Sequence, residues 1–262
     1  MHTLSPALRQ GYTIDFINRS FRDVADKDYI AARILHKAGL DIQFLWMAHQ
    51  ATEKYLKAIL LYNGSDTRDI KHDLVKAYRR VRAIKDIPFD FPRIIDEFVS
   101  YLNEEGPNRY FEYPTFHHGQ EVFLLDASVW HIRRYCYFIR GTVRKPDGKE
   151  IDLLPLEIRR INSDVPSRAH RLRILGGFLE KVLDDRGSYL RRELVWKNFY
   201  YGSYAKRVIR NVRLIAGSAN PTHYLHPDIF EDLDKLVQFS KPVRDYFHRA
   251  KASVDATDKE RA

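Results

Sequence analysis

DIQFLWMAHQATEKYLKAILLYN, residues 41–63, is the stretch on which the reading of the whole chain turns. Taken at helical angles it gathers Phe44, Ala48, Ala51, Tyr55, Ala58, Ile59 and Tyr62 into an apolar surface too broad for a helix packed on one side only. The spacing therefore predicts a buried central helix with other helices around it. One narrow strip is polar and holds Gln43, His49, Gln50, Glu53, Lys54 and Lys57. His49, Glu53 and Lys57 follow at i, i+4 steps, and Glu53 before Lys57 is the favourable order for an ion pair. Such a ladder is either the solvated edge of a core helix or an edge built for a ligand. If it is partly buried, each member needs a partner.

The flanking sequence extends the helical reading. Residues 1–12 lack periodicity and read as an arm. Phe16, Ile17, Val24, Tyr29, Ala32, Ile34 and Leu35 predict a first helix from Ile14 to about Lys37, closed by Gly39. After Gly64, His72 is placed at the start of a helix carrying Leu74, Val75, Tyr78, Val81 and Ile84. Pro92 sits where a next helix would begin, and Gly106-Pro107 closes it. A last long helix is expected from about Gln120 to Arg140. Lys145-Pro-Asp-Gly-Lys149 is a turn signal. Further helices are expected at 167–184, 188–202 and 203–217, then a pair from Pro227 interrupted at Pro242. No strand pair is expected. The fold class is all-α, with a bundle over 14–141, a linker over 142–165 and a second helical domain over 166–252.

HQATEKYLKAILLYNG from His49, HDL from His72 and NRYFEYP from Asn108 together resemble the HEPN family of helical nucleotide-associated domains. Gln50, Ala51, Glu53, Lys54, Lys57 and Ala58 carry the most specific part, and the likeness spans about Ile14 to Gly141. The resemblance implies a bundle of about five helices, homodimerisation and a role around nucleotides or RNA. It also implies partnership, in part of the family, with a separately encoded minimal nucleotidyltransferase. Family ribonucleases place a His four to six residues after an Arg, so that guanidinium holds phosphate while imidazole moves protons. That spacing means four to six residues between the two, and no arginine of this chain has it: Arg68 to His72 and Arg244 to His248 are too short, and Arg109 to His117 is too long. The expected function is thus a non-catalytic binding module for nucleotide or nucleic acid, with Gln50, Glu53, Lys54, Lys57, His72, Arg109 and Tyr110 as ligand-binding candidates. The alternatives are a toxin-like ribonuclease using Arg109, His117 and His118, or a nucleotidyltransferase partner subunit.

Charge separates the two halves. The 262 residues carry a net charge of +9. Residues 1–139 hold 19 basic against 18 acidic side chains and residues 140–262 hold 25 against 17. From Arg186 to Arg213, eight Lys or Arg accompany one acid and six aromatics, a mixture suited to single-stranded RNA or DNA. Lys206, Arg210 and Arg213 fall opposite an apolar face and are the nucleic-acid candidates. His117-His118 and His223-x-x-His226 do not complete a metal set, so neither metal nor cofactor is expected. The single cysteine, Cys136, excludes an internal disulfide, and no secretory or membrane-spanning segment is read, which points to a cytoplasmic protein.

Overall fold

Ser5 and Pro6 start the first helix, α1 (Pro6–Ile17), earlier than periodicity suggests. The Ser5 hydroxyl accepts from the Leu8 amide at 3.3 Å, and Pro6 occupies the first turn, where its missing N–H costs nothing. Residues 6–12, expected as an unstructured arm, are therefore helical. A π-helical turn, Asn18–Arg22, leads directly into α2 (Asp23–Lys37). Gly39, at φ 74°, reverses the chain into α3 (Asp41–Tyr62).

The computed structural model describes residues 4–106, 115–117, 119–163, 172–202, 216–218, 227–239 and 241–261. Two compact units emerge, Met1–Pro107 with Gln120–Val212, and Asn108–Gly119 with Arg213–Ala262. The expected linker at 142–165 does not separate them, because residues on either side of it share the first unit.

α3 is the spine of the first unit. Phe44, Leu45, Ala48, Ala51, Tyr55, Leu56, Ala58, Ile59 and Leu60 are all buried, as the breadth of its apolar surface requires. α2, α4 (Leu74–Arg82), α5 (Arg93–Glu105) and α6 (Glu121–Arg133) enclose it. Phe98 and Leu102 from α5 and Leu125 and Ile132 from α6 join the same core. Each such side chain taken out of water contributes roughly 1.5–3 kcal/mol. α4 starts two residues after His72. Asp73 is its N-cap and accepts from the Lys76 amide at 2.8 Å, which leaves His72 in the preceding turn. α6 ends at Arg133 rather than near Arg140. The amides of Tyr135 and Cys136 bond three residues back, to Ile132 and Arg133, and close the last turn. Cys136 is buried just beyond that end.

Lys145-Pro-Asp-Gly-Lys149 proves to be the tip of a β-hairpin. β2 (Thr142–Arg144) pairs antiparallel with β3 (Glu150–Asp152), with Val143 opposite Ile151. α7 (Leu154–Ser163), α8 (Phe178–Asp184) and α9 (Tyr189–Val195) follow, the last two shorter than expected. Leu154, Ile161, Leu179 and Leu194 enter the core built around α3.

In the second unit, β1 (Thr115–His117) pairs antiparallel with β4 (Ala216–Ser218), so residues 216–217 are strand where a helix was expected. α10 (Pro227–Asp234) and α11 (Lys241–Arg261) complete it, with Pro242 in the first turn of α11. Phe230, Val243 and Phe247 form a small core, and the rings of Phe230 and Phe247 stack at 4.4 Å.

Candidate functional site

The polar strip of α3 is real, and it divides into two clusters. Glu53 uses both carboxylate oxygens: Oε1 accepts from Lys57 Nζ at 2.6 Å and Oε2 meets His72 Nδ1 at 3.0 Å. Lys57 also donates to the Lys71 carbonyl at 2.5 Å. Burial opposes the charge on Glu53, but the hydrogen bonds from Lys57 and His72 outweigh it and hold the carboxyl below its ordinary range. One step around the helix, Lys54 Nζ pairs with Asp28 Oδ2 at 2.7 Å and donates to Gln50 Oε1 at 3.0 Å. The first cluster ties α3 to the turn before α4, and the second ties it to α2.

His49 stands apart from both. It is fully buried and lies parallel to the Trp46 ring at 6.1 Å between centroids. Its Nδ1 is 3.8 Å from Glu53 Oε2, beyond hydrogen-bond range. The His72 backbone faces the same ring, yet neither nitrogen reaches hydrogen-bond geometry among the described residues. Burial is the main cause that pushes its pKa down to about 4, against the attraction of Glu53. Gly106 fits closely over it, since a Cβ there would sit 2.6 Å from His49 Cβ. The ring is thus a neutral packing group at pH 7.

Glu53, Lys57 and His72 thus form one cluster, and Gln50 and Lys54, with Asp28, the other. Arg109, Tyr110 and His118 lie outside the described residues, as do Lys206, Arg210 and Arg213. His117 is described only as backbone, at the end of β1. Among the described residues no three His, Cys, Asp or Glu side chains gather as a metal site requires, and no helix is long and apolar enough to cross a membrane.

Sequence reasoning missed a second polar system, buried and wholly paired. On α2, Asp26 and Arg33 follow at helical spacing inside the face turned to the core, and Lys37 stands exposed at its rim. Arg133 of α6 donates to Asp26 from Nε at 2.7 Å and Nη2 at 2.8 Å, and to Glu180 of α8 from Nη1 at 2.8 Å and Nη2 at 2.7 Å. Four of its five N–H groups are used. Asp26 also accepts from the Tyr55 hydroxyl at 2.6 Å and the Leu179 amide at 3.1 Å, and Glu180 accepts from the Ile174 amide at 3.0 Å. Burial lowers the Arg133 pKa, but the two carboxylates outweigh it and raise it well above its ordinary value. Gly177 makes room, because a Cβ there would lie 2.0 Å from Glu180 Oε2.

A parallel set joins α2 to α6 and α9. Arg33 pairs with Asp126, whose Oδ1 also accepts from the Tyr29 hydroxyl at 2.6 Å. Arg33 Nε reaches the Glu193 carbonyl at 3.2 Å, and Lys37 Nζ holds the Glu193 carboxylate at 2.8 Å. Asn198 donates to the Tyr29 hydroxyl at 2.8 Å. These pairs clamp α8 and α9 onto the bundle.

No curated protein and no solved structure matches the chain. A family model of the HEPN domain does match, over residues 19–122, from the π-helical turn to the first turn of α6. α2, α3, α4 and α5, with the polar edge of α3, lie within that match, and the chain accordingly matches the HEPN domain family over residues 19–122.

Proposed function

We propose that the HEPN half is a non-catalytic binding module for nucleotide or nucleic acid, and that the Glu53 edge receives the phosphate. A HEPN domain itself suggests a nucleotide- or RNA-related role. The observation that carries the finer reading is the Glu53 carboxylate holding two nitrogen-bearing side chains together along the edge of a buried helix. Lys57 spends two of its three N–H groups, on Glu53 and on the Lys71 carbonyl, and keeps one for a ligand. His72 turns Nδ1 to Glu53 while its side chain is 70 % exposed, which leaves Nε2 open to a ligand. Arg109 and Tyr110 are proposed as further ligand-binding residues, suited to hold a phosphate and stack on a base, and Lys206, Arg210 and Arg213 as nucleic-acid-binding residues.

Absence of chemistry is part of the proposal. General acid-base cleavage needs two positioned groups that can exchange protons near pH 7. His49 and His131 are buried and held at about 4, His131 by burial and then by the Arg134 charge. His72 then stands without a second imidazole from either of them.

The module is further proposed to act as a homodimer. α1 carries Leu8, Tyr12 and Phe16 at i, i+4 steps, with Leu4 just ahead, and all four are 47–60 % exposed. A short helix with an uncovered apolar stripe gains most of its stability from whatever packs on that stripe.

Binding of fluorescent single-stranded RNA by Lys57→Gln and His72→Gln variants tests the phosphate edge. Each should weaken affinity, and loss of the lysine contact should flatten the slope of log affinity against log salt by about 0.7. Affinity and slope equal to wild type, with unchanged circular dichroism, would remove the Glu53 edge from the binding site.

A further inference from the structure

α4 carries Lys76, Arg79, Arg80 and Arg82 and no acidic residue. Their partners are unevenly shared. Lys76 and Arg80 both reach Asp69, at 2.9 and 2.6 Å, and their other donors go to the carbonyls of Asp69 and Asp66. Arg79 and Arg82 stand three residues apart, as surface neighbours on the helix. They line an open cleft of about 530 Å³ between α4 and α5, with Val75 and Val99 among the residues that make its floor. Arg82 Nη1 donates to Asp96 Oδ1 at 2.9 Å, and the Tyr78 hydroxyl donates to that same oxygen at 2.5 Å. Arg79 is exposed and pairs with no carboxylate among the described residues.

Basic residues in a last helical turn are favoured by the helix dipole alone. That accounts for their presence on α4, but not for a cleft lined by two guanidinium groups and one carboxylate, which pairs with Arg82 alone. Neighbouring like charges on one helix repel, and an anion between them relieves the repulsion. Guanidinium forks match phosphate oxygens, and an apolar floor beside them suits a flat group attached to that phosphate.

We infer that the α4–α5 cleft binds a nucleoside phosphate, free or within a single strand, with Arg79 and Arg82 on the phosphate and the Val75 and Val99 floor beneath the base. This is a second site, separate from the Glu53 edge, and it deepens the nucleotide-binding reading without needing that edge. Asp96 acts as a competitor that holds Arg82 in the empty cleft.

Titration calorimetry of the full chain with adenosine monophosphate, inorganic phosphate and polyadenylate tests it. The nucleotide or the polymer should bind more tightly than inorganic phosphate, and which of the two binds identifies the source of the phosphate. Arg79→Ala should weaken that binding on the order of tenfold, as for loss of a charged hydrogen bond. Asp96→Asn should strengthen it by freeing Arg82. Arg79 is exposed, so its replacement keeps the fold, which circular dichroism verifies. Arg79→Ala binding as wild type does, or inorganic phosphate binding as tightly as both other probes, overturns the inference. If the Lys57 and His72 variants lose RNA while Arg79→Ala does not, the cleft is refuted and the Glu53 edge stands.

Discussion

Replacing Arg133 by Met removes the cation that bridges Asp26 and Glu180 while keeping a side chain of comparable length. Four charge-assisted hydrogen bonds of 2.7–2.8 Å are lost. Asp26 keeps the Tyr55 hydroxyl and the Leu179 amide, and Glu180 keeps the Ile174 amide, but two carboxylates then face each other away from water. Breaking a buried pair by removing one partner costs about 3–5 kcal/mol. Two stranded carboxylates place this variant at the upper end, a large part of the roughly 5–15 kcal/mol that holds a domain folded. With a urea m-value of about 2 kcal/mol/M, the midpoint should fall by about 2 M at pH 7.5.

Acid reverses part of that loss. Stranded carboxylates have a folded pKa above the unfolded one, so the folded variant binds more protons and gains stability relative to wild type as pH falls. The gap between the two proteins should therefore narrow from pH 7.5 to pH 5.0. Unfolding curves followed by tryptophan fluorescence at both values supply the numbers. A loss under about 1 kcal/mol, the range of surface ion pairs, would refute the reasoning, and so would a gap that does not narrow.

Three further outcomes follow from the geometry. His49 and His131 have folded pKa values of about 4, below the ordinary 6.5, so the unfolded chain takes up their protons first and stability falls as pH drops from 6.5 towards 4. Each should cost about 2 kcal/mol between pH 7.5 and 5, and His49→Phe should flatten the urea-midpoint profile by its share; parallel profiles would contradict this. Gly177→Ala forces a Cβ against Glu180 and should lower the melting temperature, whereas Gly11→Ala, in open space on α1, should raise stability by roughly 0.5–1 kcal/mol; the opposite order of the two would be wrong for this packing. Light scattering at micromolar concentration should give twice the 31.0 kDa chain mass, and Tyr12→Glu should give the monomer, while a wild-type monomer would discard the α1 interface.

How much of this was legible in the sequence follows from what periodicity reports. The α3 limits, the Gly39 reversal and the polar edge could be read, because apolar spacing and a left-handed glycine are local signals. The same local view missed α1, where Ser5-Pro6 is a start signal but the apolar residues face solvent and mark no core. It overran α6, because the apolar pattern continues through Cys136 and Ile139 after the helix hydrogen bonds have stopped. The Arg133 and Arg33 networks were illegible for another reason. Their partners lie 47 to 107 residues away for Arg133 and 93 to 163 for Arg33, and each charged residue taken alone reads as surface. Those pairs are what carry α8 and α9 into the first unit, so the expected boundary at 142–165 failed with them. Averaging charge over residues 1–139 likewise concealed α4, whose four basic side chains are balanced elsewhere in that half. Within the candidate site, the polar strip of α3 could be read because its residues share one helix face, while the burial of His49 involves Gly106, 57 positions on.

The most direct test of the central proposal is one sample read twice. The protein is titrated into end-labelled single-stranded RNA, the bound fraction is measured by fluorescence anisotropy, and the strand is then sized on a denaturing gel. A binding module gives saturable, salt-sensitive binding with the RNA recovered at full length. Shortened strands whose appearance depends on His117 or His118 would contradict it in favour of a ribonuclease, and RNA left unbound at every concentration, together with no binding of mononucleotide, would contradict it outright.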